Sequence, residues 1–155
     1  MKSISALRSV IFNKQQIFPS KILCVGRNYV AHIEELGNEM PEEMIIFGKP
    51  NSSITDNLRA FHLEPIHFEC EICFMYQEGR FAGVGVGLDL TKRETQNKLK
   101  KKGLPWERAK AFDGSALFSE FVPIDEISDK LSLSLDIDNV RTQEGDTPLM
   151  IYKPQ

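Results

Sequence analysis

Between residues 131 and 138 apolar and polar side chains alternate without a break: Leu131, Leu133, Leu135 and Ile137 against Ser132, Ser134, Asp136 and Asp138. A period of two predicts a strand with one buried face. Asp138-Asn139 follows, two residues that tolerate positive φ, so a two-residue hairpin into Val140-Arg141-Thr142-Gln143 is expected. Lys21 to Gly26 and Met44 to Pro50 are short apolar runs closed by a glycine and a proline, and read as buried strands. A longer strand is predicted from Ile66 to about Tyr76, turned at Gln77-Glu78-Gly79-Arg80 into a strand from Phe81 to Asp89. Glycines 83, 85 and 87 mark that second strand as one that other parts of the chain approach closely. Two segments have helical character. One runs from Asn28, as N-cap, to Gly37; the other from Leu90 to Lys102, with Thr91 as N-cap and Gly103-Leu104-Pro105 as its end. Residues 51–63 read as loop. Strands outnumber helices, so the class is α+β, mainly β, with mixed or antiparallel sheets in a single domain over residues 1–155.

Strand geometry gives the chain its candidate chemistry. In His67-Phe68-Glu69-Cys70-Glu71 the two glutamates project from one face, roughly 7 Å apart, while Phe68, Cys70 and Ile72 face the other way. Two ionised carboxylates on one face repel, and a divalent cation relieves that repulsion. Asp89, in Gly87-Leu88-Asp89-Leu90-Thr91, completes a set of three. An all-carboxylate set suits Mg2+ or Mn2+, with Ca2+ less well matched. His67 and Cys73 share the parity of the glutamates, which leaves zinc disfavoured without excluding it. A solvated acidic face is the alternative reading of Glu-x-Glu taken alone.

Composition narrows the classes. The 155 residues carry 41% hydrophobic and 26% charged side chains and a net charge of −3, ordinary values for a soluble domain. The lysines at 98, 100, 101 and 102 read as a solvated helix face rather than a nucleic-acid stripe. Cys70 and Cys73 form a C-x-x-C that an extended strand would hold about 10 Å apart on opposite faces, so neither a disulfide nor a shared zinc is expected. With Cys24 they read as reduced thiols of a cytoplasmic protein without a membrane span, and Arg8 interrupts any signal-peptide-like apolar run.

With these pieces placed, the chain resembles the fumarylacetoacetate hydrolase family, in particular its small acylpyruvase and oxaloacetate-acting members. The resemblance rests on Val25-Gly26-Arg27-Asn28-Tyr29-Val30-Ala31-His32, on Phe47-Gly48-Lys49-Pro50, on His67-Phe68-Glu69-Cys70-Glu71, and on Leu88-Asp89-Leu90-Thr91-Lys92-Arg93-Glu94 through Gly103-Leu104-Pro105-Trp106-Glu107-Arg108-Ala109-Lys110-Ala111-Phe112-Asp113. Asp138 to Arg141 with Gln143 to Thr147 is similar to the family's next strand pair. Coverage runs from about Lys21 to near the last residue, with residues 1–20 as an N-terminal extension.

The resemblance implies a β-sandwich roll, a Mg2+ or Mn2+ ion on Glu69, Glu71 and Asp89, and a small 2-oxo acid substrate. It further implies a catalytic pair of His32 and Glu35 on a short helix, an active-site Lys110, and Arg27, Lys49 and Gln96 as substrate-binding residues, with Arg93 as a structural ion-pair partner. A homodimer is expected, with neither nucleic acid nor membrane as partner. Chelation of a 2-oxo acid by a cation polarises the carbonyl and stabilises an enolate. The His32–Glu35 pair then favours hydrolytic cleavage of a C–C bond in an acylpyruvate, with His32 activating water and Lys110 neutralising developing charge. Isomerisation or tautomerisation, decarboxylation of oxaloacetate, an inactive binding relative and a calcium-binding module are the rival readings. Two departures from the family pattern stand out. The link from Glu71 to Asp89 is a plain hairpin where a helix is usual, and the chain ends at Gln155 before the family's C-terminal strands and Thr-Gly-Thr-Pro-type loop, which would leave a sheet edge unpaired.

Overall fold

The computed structural model describes residues 7–29, 43–128 and 130–154. Ten strands follow in order: β1 Val10–Phe12, β2 Gln15–Ile17, β3 Lys21–Gly26, β4 Ile45–Pro50, β5 Ile66–Gln77, β6 Arg80–Lys92, β7 Ala116–Phe118, β8 Val122–Pro123, β9 Ser132–Ile137 and β10 Val140–Asp146. Two helices, α1 Arg93–Lys101 and α2 Glu107–Lys110, lie between β6 and β7. The expected mainly β α+β class holds. Every pairing between these strands is antiparallel, and two isolated parallel bridges, Phe12 with Phe121 and Ile54 with Ala116, lie beside them.

The organising element is the long β5–β6 hairpin, extended on the β6 side by β7 and β8. Its turn follows from sequence: Glu78 and Gly79 take φ of 52° and 79°, the left-handed pair that matches strand twist. Asp138 and Asn139 do the same between β9 and β10, with φ of 51° and 63°. A small apolar core of Val10, Ile54 and Phe121, joined by Phe12, Ile22, Cys73, Met75 and Phe118, packs against the sheet. Gly83 and Gly87 make room for that packing. A Cβ on Gly83 would stand 2.7 Å from the Phe12 ring, and one on Gly87 2.6 Å from Cys73 Sγ.

One expected cap is placed otherwise. Thr91 does not cap α1, because pairing of Ile66 with Lys92 and of His67 with Thr91 carries β6 two residues past the expected start of the helix. The cap comes from 30 residues upstream instead: Glu64 Oε1 accepts from the backbone N–H of Glu94 at 2.9 Å and of Thr95 at 3.2 Å, and Oε2 accepts from the Thr95 hydroxyl. The far end of α1 is as expected, with Gly103 at φ 62° and Leu104 N–H bonded to Leu99 O at 3.0 Å. Asn28 spends its side chain on the chain's last segment: Nδ2 donates to Tyr152 O at 3.0 Å and Oδ1 accepts from Tyr152 N–H at 2.7 Å. From residue 30 onward the expected 28–37 helix, and with it the amides that Asn28 was expected to cap, lies outside the described residues.

Candidate active site

Antiparallel register brings the three carboxylates to one face. Glu69 stands directly opposite Asp89, and Glu71 opposite Gly87. Thr91, two residues beyond Asp89, shares their parity and is fully buried. Lys110 reaches this face from the end of α2. Its ammonium donates to Glu69 Oε2 at 2.6 Å, Asp89 Oδ2 at 2.7 Å and Thr91 Oγ1 at 2.6 Å, which uses all three of its hydrogens. The Phe47 ring covers the ammonium from 5.2 Å.

Lys49, 2% exposed, approaches from β4. It donates to the carbonyl oxygens of Lys110 and, at 3.0 Å, Ser115, so it also ties down the end of α2. Its nitrogen lies 2.8 Å from Asp89 Oδ1 as an ion pair, and among the described residues that buried oxygen has no better-aligned donor. Arg93, at the start of α1, pairs with Glu69 Oε1 and donates to Gln96 Oε1 at 2.6 Å. The expectation that Arg93 serves as an ion-pair partner is met. Gln96 is buried beside it.

The electrostatics divide the carboxylates. Burial would raise the Glu69 pKa, but Lys110 and Arg93 outweigh it and bring it down to about 2. Glu71 goes the other way. Burial first, then repulsion from Asp89 and Glu69, push it up to about 8, with Lys110 only partly offsetting them. Burial lowers Lys110, but Asp89 and Glu69 overcome that and raise it, so its charge is secure; burial prevails at Lys49, whose pKa falls despite Asp89. Burial also drives Cys24 to about 12 and Cys73 upward, keeping both thiols protonated.

In kind and position these donors suit a hard divalent cation. Three carboxylates share one face, and Glu71, with burial and like charge holding its pKa at about 8, gives up its proton more readily near neutral pH when positive charge is added. The side chains are turned toward the neighbouring cations, and among the described residues no three carboxylate, imidazole or thiol groups converge on one point. Of the other expected site residues, His32 and Glu35 lie outside the described residues. Arg27 takes φ 53°, and among the described residues its buried Nε has no hydrogen-bond partner. Sequence reasoning missed Thr91, whose parity with Asp89 was a usable signal. It also missed Tyr29, whose buried hydroxyl has no partner among the described residues and whose pKa is raised by burial and by Glu71.

A family model described as Fumarylacetoacetate (FAA) hydrolase C-terminal matches residues 21–155. The chain belongs to the fumarylacetoacetate hydrolase family. Within it, the chain is 38% identical over 152 residues to the oxaloacetate tautomerase YcgM of Escherichia coli, covering 86% of this chain and 69% of that protein. It is 39% identical over 151 residues to a mitochondrial oxaloacetate tautomerase of Arabidopsis thaliana, covering 86% of this chain and 68% of the other. Among solved structures, the fumarylpyruvate hydrolase of Pseudomonas aeruginosa in complex with Mn2+ and pyruvate is similar with a TM-score of 0.84 at 28% identity, covering 96% of this chain and 74% of that one. These relatives of the fumarylacetoacetate hydrolase family are enzymes that act on small molecules. Among the described residues no helix is long and apolar enough to cross a membrane.

Proposed function

We propose that this chain is a divalent-cation-dependent enzyme of enolate chemistry, converting the enol and keto forms of oxaloacetate or a close 2-oxo acid. The observation that carries this reading is the buried face on which Glu69, Glu71 and Asp89 meet Lys110. The relatives' names favour tautomerisation over the hydrolysis that the His32–Glu35 pair suggests. Glu69, Glu71 and Asp89 would hold Mg2+ or Mn2+, which when bound supplies positive charge beside the 2-oxo group.

The chain's own residues account for the rest. Lys110, charged and held by three acceptors, bridges Glu69 and Asp89 and would offer positive charge to a substrate dianion. Arg93 fixes the rotamer of Glu69. Arg27, whose buried Nε has no hydrogen-bond partner among the described residues, would bind a substrate carboxylate, and the buried Lys49 and Gln96 would hold Asp89 and Arg93 in place. Tautomerisation needs only a proton taken from the enol oxygen and one returned to the adjacent carbon; no atom is gained or lost.

The resemblance to a fumarylpyruvate hydrolase supports the second reading, hydrolysis of an acylpyruvate with His32 as base and Glu35 orienting it. Both are tested together. Enol-oxaloacetate and an acylpyruvate are incubated with the protein and Mg2+, the enol followed by ultraviolet absorbance and the products by NMR. Tautomerisation predicts rapid loss of enol without pyruvate release; hydrolysis predicts pyruvate and a second acid. Either activity is expected to drop about 100-fold or more in Lys110→Met. No turnover of either substrate refutes the enzymatic reading.

A further inference from the structure

We propose that Gln143 is a positioning residue for the candidate site, clamping the peptide that lies between Glu69 and Glu71. This rests on the reading of those glutamates as cation ligands. Among the described residues β5 pairs only with β6, so β5 is a sheet edge, and the outward N–H and C=O of Cys70 have no strand to meet. Gln143 meets both. Its Oε1 accepts from Cys70 N–H at 2.8 Å and its Nε2 donates to Cys70 O at 2.6 Å. One side-chain amide thus takes the place of a neighbouring strand's peptide at the single position where a tilt of the backbone would swing both Glu69 and Glu71.

The hairpin that carries Gln143 is shaped for this contact. In β9–β10, Arg141 pairs with Asp136 but Gln143 pairs with Leu135, so Thr142 is an extra residue on its strand. Continued regular register would set Gln143 opposite Ser134, on the exposed face of the hairpin. The bulge moves it to the face of Leu133 and Leu135, the half-buried side, and β9 packs beside β5. A polar side chain placed on an apolar face is costly unless it is bonded there, and two hydrogen bonds to Cys70 remove that cost. Removing the supports that orient a metal's carboxylates reduces metal affinity although no ligand is lost.

The test compares wild type, Gln143→Leu and Leu133→Ala, the last a buried residue of the same hairpin that does not bond to Cys70. Amide hydrogen exchange reads the clamp and Mn2+ titration reads its consequence. In wild type the Cys70 amide is expected to be protected; free exchange there overturns the proposal without need of any variant. In Gln143→Leu, Cys70 exchange is expected to rise while Glu69 and Glu71 amides stay protected, and Mn2+ affinity to fall by about 10- to 100-fold. Leu133→Ala is expected to lower the melting temperature and leave both Cys70 exchange and Mn2+ affinity as in wild type. Unchanged Mn2+ affinity in Gln143→Leu, or an equal loss in Leu133→Ala, overturns the positioning role. If wild type itself fails to bind Mn2+, the metal reading falls and takes the positioning role with it, whereas exchange at Cys70 still decides whether the clamp exists.

Discussion

Glu71 ought to make the metal-free protein less stable as the pH rises. Its pKa moves from 4.5 to about 8 on folding, because the folded chain buries it beside Asp89 and Glu69. Between those two values the unfolded chain has released the proton and the folded chain keeps it, so stability falls with pH across that window and levels off above it. At about 1.4 kcal/mol per unit the full shift amounts to about 5 kcal/mol. Relaxation and water entry reduce that, giving an expected loss of about 2 to 5 kcal/mol between pH 4.5 and pH 8. Glu69 acts in a separate window. Its lowered pKa contributes stability that is present above pH 4.5 and lost as the pH falls toward 2. Urea denaturation with a chelator present, from pH 5 to 8.5, would follow the Glu71 effect against Glu71→Gln, which carries no titrating group and should lack this part of the slope. Adding Mg2+ is expected to flatten the wild-type profile by favouring the ionised form and to leave the slope of the Glu71→Gln profile nearly unchanged. Parallel profiles for the two proteins without metal would refute the reasoning, because Glu71 would then ionise like a solvated carboxylate.

Lys110→Met is expected to cost about 3 to 5 kcal/mol in chemical denaturation, since it leaves Glu69 and Asp89 buried without the ammonium between them; a loss under 1 kcal/mol would show that the pair is solvated. Glu64→Ala removes the acceptor for two backbone amides and a hydroxyl at the start of α1 and should cost about 1 to 2 kcal/mol at neutral pH. Although burial opposes it, the Thr95 and Glu94 hydrogen bonds lower the Glu64 pKa, so the stability it contributes is present above its unfolded pKa and fades as the pH falls through the folded one. Gly87→Ala drives a methyl group to 2.6 Å from Cys73 Sγ and should cost about 1 to 3 kcal/mol. Combining it with Cys73→Ala should recover about 1 kcal/mol beyond additivity, and strict additivity would show that the Phe118 ring, not the thiol, sets the limit.

What could be read from sequence was what short-range geometry decides. Alternation located β9, the apolar runs located β3 and β4, and the tolerance of Asp138-Asn139 for positive φ set its hairpin; the parity of Glu69 and Glu71 placed both on one face before any fold was known. Contacts between residues remote in sequence could not be read in this way. Thr91 has the chemistry of an N-cap, and nothing nearby in the chain reveals that pairing with His67 will hold it in a strand while Glu64, far upstream, caps the helix. Asn28 is drawn to Tyr152 across 124 residues, and Gln143 to Cys70 across 73. Partners so far apart in sequence leave no periodic trace, because each side chain's role is fixed only when the sheet forms.

The same distinction explains why the three carboxylates are unequal. Sequence makes them look alike, but α1 delivers Arg93 and α2 delivers Lys110 to Glu69, and Lys110 and Lys49 converge on Asp89, while no hydrogen bond or ion pair among the described residues reaches the Glu71 carboxylate. Charge on Glu69 and Asp89 is therefore answered by the protein itself, and Glu71 is the carboxylate whose ionisation depends on an added cation. Substituting Glu71 should abolish the coupling between Mg2+ binding and proton release, whereas Arg93→Leu should weaken binding and leave about one proton released per ion near neutral pH. Calorimetry in buffers of different ionisation enthalpy counts those protons. A full proton released by Glu71→Gln would assign the linkage to another group and remove Glu71 from the centre of this site.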